Sequence, residues 1–269
     1  MCNNQIILSP EELLEKESIT KEHTKKVGNI TVITSGRGLK YSERMVASDS
    51  LFPCFHIYPF IKNKENEALK LKSLSDIINN PTSTERDILK FFSNSRNLNL
   101  LSVLFANYRF GHHDQYIFRE FPLPNANQIA DFLLIGKNSD GYHEIFVEFE
   151  AINSSKLSKV FTKDRREGVI LRKGREQTQD WENSLTKLYV AHSAKLREYV
   201  NPSKVLPTEL QENSPFRRNY LIVAGRRKDF QNNYETRLQI EAHNNVKIIH
   251  YDNIIESIQK TLLEKNIWY

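Results

Sequence analysis

Cysteine is nearly absent. The 269 residues hold only Cys2 and Cys54, in no C-x-x-C spacing. That excludes a disulfide framework and a cysteine-built zinc site, and it suits a reducing compartment. Glycine and proline are scarce as well, nine of each, so collagen-like and Pro/Gly-rich linker classes drop out. No apolar run approaches the ~20 residues of a membrane helix. The longest, such as LLSVLFA at 100–106, are core-sized. The opening MCNNQIILSPEELLEK has no basic, apolar and small-residue succession of a secretory signal, so the expected address is the cytosol. Neither G-x-x-x-x-G-K-[ST] nor G-x-S-x-G occurs. GRG at 36–38 is therefore no phosphate loop, and the common hydrolase elbow is missing.

What remains is an ordinary globular composition. Hydrophobic residues at 39% and charged residues at 26% argue against wholesale disorder. The length suits one large domain or two modest ones, with chain enough to bury a core. Lys and Arg number 38 against 33 Asp and Glu, a net charge of +5 with a pI near 9.0. Such a balance favours anionic partners without identifying one.

Residues 1–80 are irregular in pattern, whereas 81–269 alternate helical and strand-like stretches. SPEELLEK opens with a helix start at Ser9 and Pro10. NITVITSG (29–36) and the aromatic FPCFHIYPFI (52–61) read as strands, the second broken by prolines. IKNKENEALKLK reads as a polar loop leading into a helix. In PTSTERDILKFF, Thr82 and Glu85 have the spacing of a capping box, and a further helical stretch covers 98–107. YIFREFPLP (116–124) is strand-like. IADFLLIG (129–136) and YHEIFVEFEA (142–151), joined by KNSDG, form a hairpin. A helix over 169–195, strands at 219–225 and 245–251, and an amphipathic closing helix with Asp252 as cap complete an α/β layout around a mixed sheet.

The chemistry-bearing residues sit on the hairpin. Side chains alternate along a strand, so Glu148 and Glu150 share one face while Val147 and Phe149 take the other. Asp131, on the neighbouring strand, can point into the same space. Carboxylates gathered there repel unless a cation offsets them, and hard oxygen ligands are what Mg²⁺ takes. Glutamates on the wet face of a strand are also commonplace, so spacing alone leaves a metal site and a solvated face both open. His112-His113 makes no metal pair, because adjacent residues rarely face one ion.

Asp131 followed by FLLIG, the VEFE run at 147–150, the VFTKD stretch and QTQDW at 177–181 resemble the PD-(D/E)xK nuclease superfamily. The closer resemblance is to the Shedu family of bacterial antiphage-defence nucleases, over roughly residues 81–260. It implies a restriction-endonuclease-like core, a mixed sheet flanked by helices, in residues 81–269. Residues 1–80 would then be an accessory, sensor or assembly region. It also implies a deoxyribonuclease using Mg²⁺ or Mn²⁺, with DNA as substrate, no membrane partner and a homo-oligomeric assembly. Asp131 and Glu148 map onto the metal ligands of that family, and Gln177 onto a helical glutamine beside the metal. The position usually held by lysine is Glu150 here. Glu150 can serve as a further metal ligand or a base, or the lysine can have moved to Lys159, Lys163 or Lys173, with Lys163 preferred. The alternative is a catalytically silent DNA-binding module that keeps the fold. Trp181 is expected as a core anchor. Arg172, Lys173, Arg175, Arg226 and Arg227 are expected to follow a phosphate backbone, a solvated basic surface being the competing reading.

Overall fold

The computed structural model describes residues 6–22, 24–27, 30–33, 41–57, 64–108, 110–111, 113–125 and 127–263. Helix α1 (Pro10–Glu22) begins at Ser9, whose hydroxyl accepts from the Glu12 N–H while Glu12 accepts from the Ser9 N–H, a reciprocal cap. Strands β1 (Thr24–Val27) and β2 (Ile30–Ile33) pair as a separate antiparallel ribbon. Short helix α2 (Glu43–Ser48) precedes the FPCFHIYPFI run. That run is not the expected strand. Pro53–Phe55 form a 3₁₀ turn and only His56 bridges to Tyr116, since proline cannot donate to a ladder; residues 58–61 lie outside the described ones. Cys54 is disulfide-bonded.

Helices α3 (Lys64–Asn79) and α4 (Glu85–Ser93) follow, then the helical stretch expected at 98–107, which is a 3₁₀ helix over Ser95–Asn107. Strands β3 (Gln115–Pro122), β4 (Ile129–Asn138) and β5 (Gly141–Phe149) form an antiparallel meander. The β4–β5 turn places Gly141 at φ +108°, where only glycine is at ease. The long helix α5 (Val169–Arg197) crosses over to β6 (Arg218–Val223), and α6 (Arg227–Phe230) and α7 (Tyr234–Asn244) lead to β7 (Val246–Ile249). Strands β5, β6 and β7 run parallel, giving the order β3-β4-β5-β6-β7. Helix α8 (Tyr251–Leu263) closes the described chain. Asp252 lies inside its first turn rather than capping it, and the cap-like contact is Asn253 Oδ1 accepting from the His250 N–H.

Both faces of the sheet are covered, which is why β4 to β6 read as nearly continuous apolar runs. Leu133, Ile135, Phe146, Tyr220 and Ile222 pack under α5, against Leu171, Trp181 and Leu185. Phe132, Val147, Phe149, Leu221 and Val223 pack on the other side, against Leu74 and Ile78 of α3, Ile88 and Phe92 of α4 and Ile254 of α8. No helix among the described residues is long and apolar enough to cross a membrane.

Trp181 is 2% exposed and joins α5 to the sheet. Trp181→Ala leaves a large cavity there and should lower unfolding free energy by about 3–5 kcal/mol. Urea denaturation followed by circular dichroism reads the change; a loss below 1 kcal/mol would refute the anchoring role.

Candidate functional site

The acidic residues gather where β5 ends. Phe132 pairs with Val147, so one step further along the register sets Asp131 opposite Glu148, on the same face. Asp131 Oδ2 accepts from the Phe149 N–H at 2.8 Å, which ties the two strand ends together. Glu150 is held by its backbone twice: its N–H donates to Val223 O at 2.8 Å, and its carbonyl accepts from the Tyr251 hydroxyl at 2.6 Å. Glu148 and Glu150 are both buried. Helix α5 lies close above them because residue 174 is glycine. A Cβ there would stand 3.2 Å from Glu150 Cγ and 3.0 Å from Ile222 Cγ2, so a helix-weakening residue is kept for close approach.

Burial dominates the electrostatics. Desolvation raises the pKa of Asp131, with the Phe149 N–H pulling the other way. It raises Glu148 further, reinforced by the charges of Asp131 and Glu150. Glu150 is pushed up to about 7 by burial, against the bond and charge of Lys173. A fourth carboxylate, Glu85 at the start of α4, is raised by burial and eased by Lys173. Glu120, opposite Asp131 on β3, has φ +50° and adds a repulsive charge to Asp131. A non-glycine residue in that region stores strain, as functional sites often do.

Glu85 is not the cap partner that its spacing from Thr82 predicts. The reciprocal contact is instead made by Thr84 and Asp87: Thr84 N–H donates to Asp87 Oδ2 at 2.8 Å, while Thr82 bonds Asn80. Glu85 is thereby left to face the acids. The usable signal was the competing box two residues on.

The lysine at the acids is Lys173, not Lys163. Its Nζ lies 3.0 Å from Glu150 Oε2. Burial lowers the Lys173 pKa, but the Glu150 bond and the surrounding acids outweigh that and raise it. Lys163 sits exposed in the loop before α5, within a turn closed by Thr162 and Arg166. One helical turn beyond Lys173, Gln177 keeps its Oε1 buried with no hydrogen-bond donor. Asp180 is exposed and Trp181 faces the core.

The expected basic residues are unequal. Arg175 is tied to Glu167 at 2.7 Å and to Gln179. Arg226 bonds Asp252, the Ile78 carbonyl and Asn79, which makes it a brace between β6, α8 and α3. Arg172 and Arg227 keep over half of their side chains exposed, beside Glu167 and Glu256. Arg226, Arg227, Lys228 and Gln231 line a hollow of about 340 Å³ with Asp252. It opens just after β6, and the Gly225 N–H donates to the Ala151 carbonyl, so these cations share the sheet end with the acids.

Among the described residues, no three His, Cys, Asp or Glu side chains already converge as a metal cage. The donor set nonetheless fits a divalent cation. Glu150 Oε1 and Gln177 Oε1 are buried oxygens that accept no hydrogen bond, and an oxygen left without a donor in a carboxylate-rich pocket is what a hard cation would satisfy.

The raised carboxyls fix the pH response of protein treated with chelator. From the ordinary carboxylate range of about pH 4–5 upward through about 7, where Glu150 titrates, the unfolded chain gives up protons that the folded chain keeps. Stability must therefore fall as pH rises through this window. Melting temperature should drop from pH 5 to 8, and Glu148→Gln should flatten the drop and melt higher than wild type at pH 8. A wild-type curve rising over that interval would contradict the assigned burial.

No curated protein sequence matches the chain. The family model for the C-terminal part of the Shedu protein SduA matches residues 82–255, a span that holds the whole five-stranded sheet, α5 and Glu85, Asp131, Glu148 and Glu150. With well over half of its residues inside that match, the chain belongs to the Shedu family, and its place is in antiphage defence.

Proposed function

We propose that the chain is a DNA nuclease that hydrolyses phosphodiester bonds with Mg²⁺ or Mn²⁺. The observation that carries this reading is the gathering of half-buried Asp131 with buried Glu148 and Glu150 at the end of β5, beneath a lysine of α5. Four carboxyls are desolvated there, and one ammonium is common to their surroundings. Stability alone does not favour such a cluster, and perturbed acids gathered in one place mark functional sites.

Asp131, Glu148 and Glu150 would hold the cation, with Gln177 Oε1 beside it. The cation would supply the positive charge that offsets charge developing on a scissile phosphate. Lys173 takes the role usually given to the dyad lysine, donating from its ammonium to the reacting phosphate or to the attacking water. Its position on α5 accounts for a carboxylate at residue 150. Arg172, Arg227 and Lys228, exposed at the same sheet end, would hold flanking phosphates, whereas Arg175 and Arg226 are already committed to Glu167 and Asp252. Pairing of two such sites in a homo-oligomer would let both strands of a duplex be cut.

Purified protein should degrade plasmid or linear DNA with Mg²⁺ or Mn²⁺, and Glu148→Ala should abolish this. Lys173→Ala should slow turnover ~10²–10⁴-fold, the usual range for a positioned proton-transfer or charge group, while Lys163→Ala stays near wild type. DNA binding without nicking in either metal would favour the catalytically silent module. Equal losses in the two lysine variants would remove the role given to Lys173.

A further inference from the structure

The pairing of Lys173 with Glu150 raises a difficulty for the site as read above. A divalent cation at Glu150 would stand on the carboxylate whose Oε2 already holds an ammonium 3.0 Å away, and the two positive charges repel. The other Glu150 oxygen, Oε1, is buried and accepts no hydrogen bond. We propose that Lys173 is the built-in counter-ion of this acidic site and that a divalent cation displaces it, so that metal loading itself frees the lysine for the substrate. The proposal rests on the metal-dependent reading and adds a coupling between two of its parts.

Geometry favours displacement over a permanent pair. The Glu150 side chain is only 3% exposed and pinned through its backbone, whereas the Lys173 side chain is 56% exposed. The acid is fixed and the ammonium can withdraw to water along a four-carbon stem. Arg175, two residues on, shows the contrasting arrangement: it is bound through two nitrogens to Glu167 and is 20% exposed. Lys173 also acts on more than its partner, because Glu85, Glu148 and Asp131 all feel its charge. One monovalent charge against four carboxyls is incomplete compensation, so a divalent ion is favoured in its place. Gly174 keeps α5 close enough for the exchange to occur within one side-chain length.

Two cations that repel one another across a shared carboxylate are negatively coupled, and the coupling is reciprocal. Removing the ammonium must therefore tighten metal binding. Titration calorimetry of the full chain with Mn²⁺, without DNA, provides the test. Lys173→Met, which keeps the stem, should lower the Kd for Mn²⁺ by ~10-fold or more, within the ~5–150-fold span usual for such couplings. It should also lower the melting temperature of chelator-treated protein at pH 8. Lys173→Arg should bind Mn²⁺ no tighter than wild type. Unchanged or weaker binding by Lys173→Met would overturn the counter-ion role and leave the metal site standing. No Mn²⁺ binding by either protein would overturn the metal-dependent reading along with it.

Discussion

The structure turns on the burial of like charges at one end of a sheet. Asp131, Glu148 and Glu150 are carried there by hairpin register, and Glu85 meets them from α4. Carboxylates removed from water resist ionising, and each makes its neighbours resist further. The site is consequently a store of unfavourable electrostatics that the remaining fold must hold in place. Stable packing on both faces of the sheet makes this tolerable, since one local conflict is small against two continuous hydrophobic layers.

Helix α5 brings the compensating cation, and several contacts fix where it lies. Near the acids, Gly174 allows it to rest against Glu150 and Ile222. Further along, Trp181 fills the core, and Glu182 takes Arg218 at 3.0 Å and the Tyr220 hydroxyl. Beyond a break in helical geometry at Leu188, His192 Nε2 meets the buried Glu144 at 2.6 Å. These polar contacts join α5 to β5 and β6 in one register. Lys173 is thereby positioned by residues far along the same helix.

The basic residues illustrate how charge count misleads. Net charge is positive, yet Arg175, Arg218 and Arg226 spend their donors on internal acids and carbonyls. Arg226 in particular closes the gap between the end of β6, the start of α8 and the end of α3. The cations left with exposed side chains beside the site, Arg172, Lys173, Arg227 and Lys228, belong to the segments that follow the loop into α5 and strand β6.

The α/β class, the hairpin, the crossover helix and the two parallel strands after it were legible in the chain, because period-2 and period-3.6 patterns survive without knowledge of neighbours. The pairing of Glu148 with Glu150 on one strand face followed from the same alternation. Local chemistry misjudged FPCFHIYPFI, where prolines removed donors, and it misplaced the cap of α4, where two boxes competed within six residues. Sequence left Lys173 one of three candidate lysines and gave Glu85 no signal beyond the competing cap of Thr84 and Asp87. Lys159, Lys163 and Lys173 all follow the hairpin, and only the angle and closeness of α5 decided which reached Glu150. Strand and helix periods thus determined the elements and the faces of their side chains. Which helix residue meets which strand acid depends on contacts distant in sequence, and only the packed tertiary structure decided that.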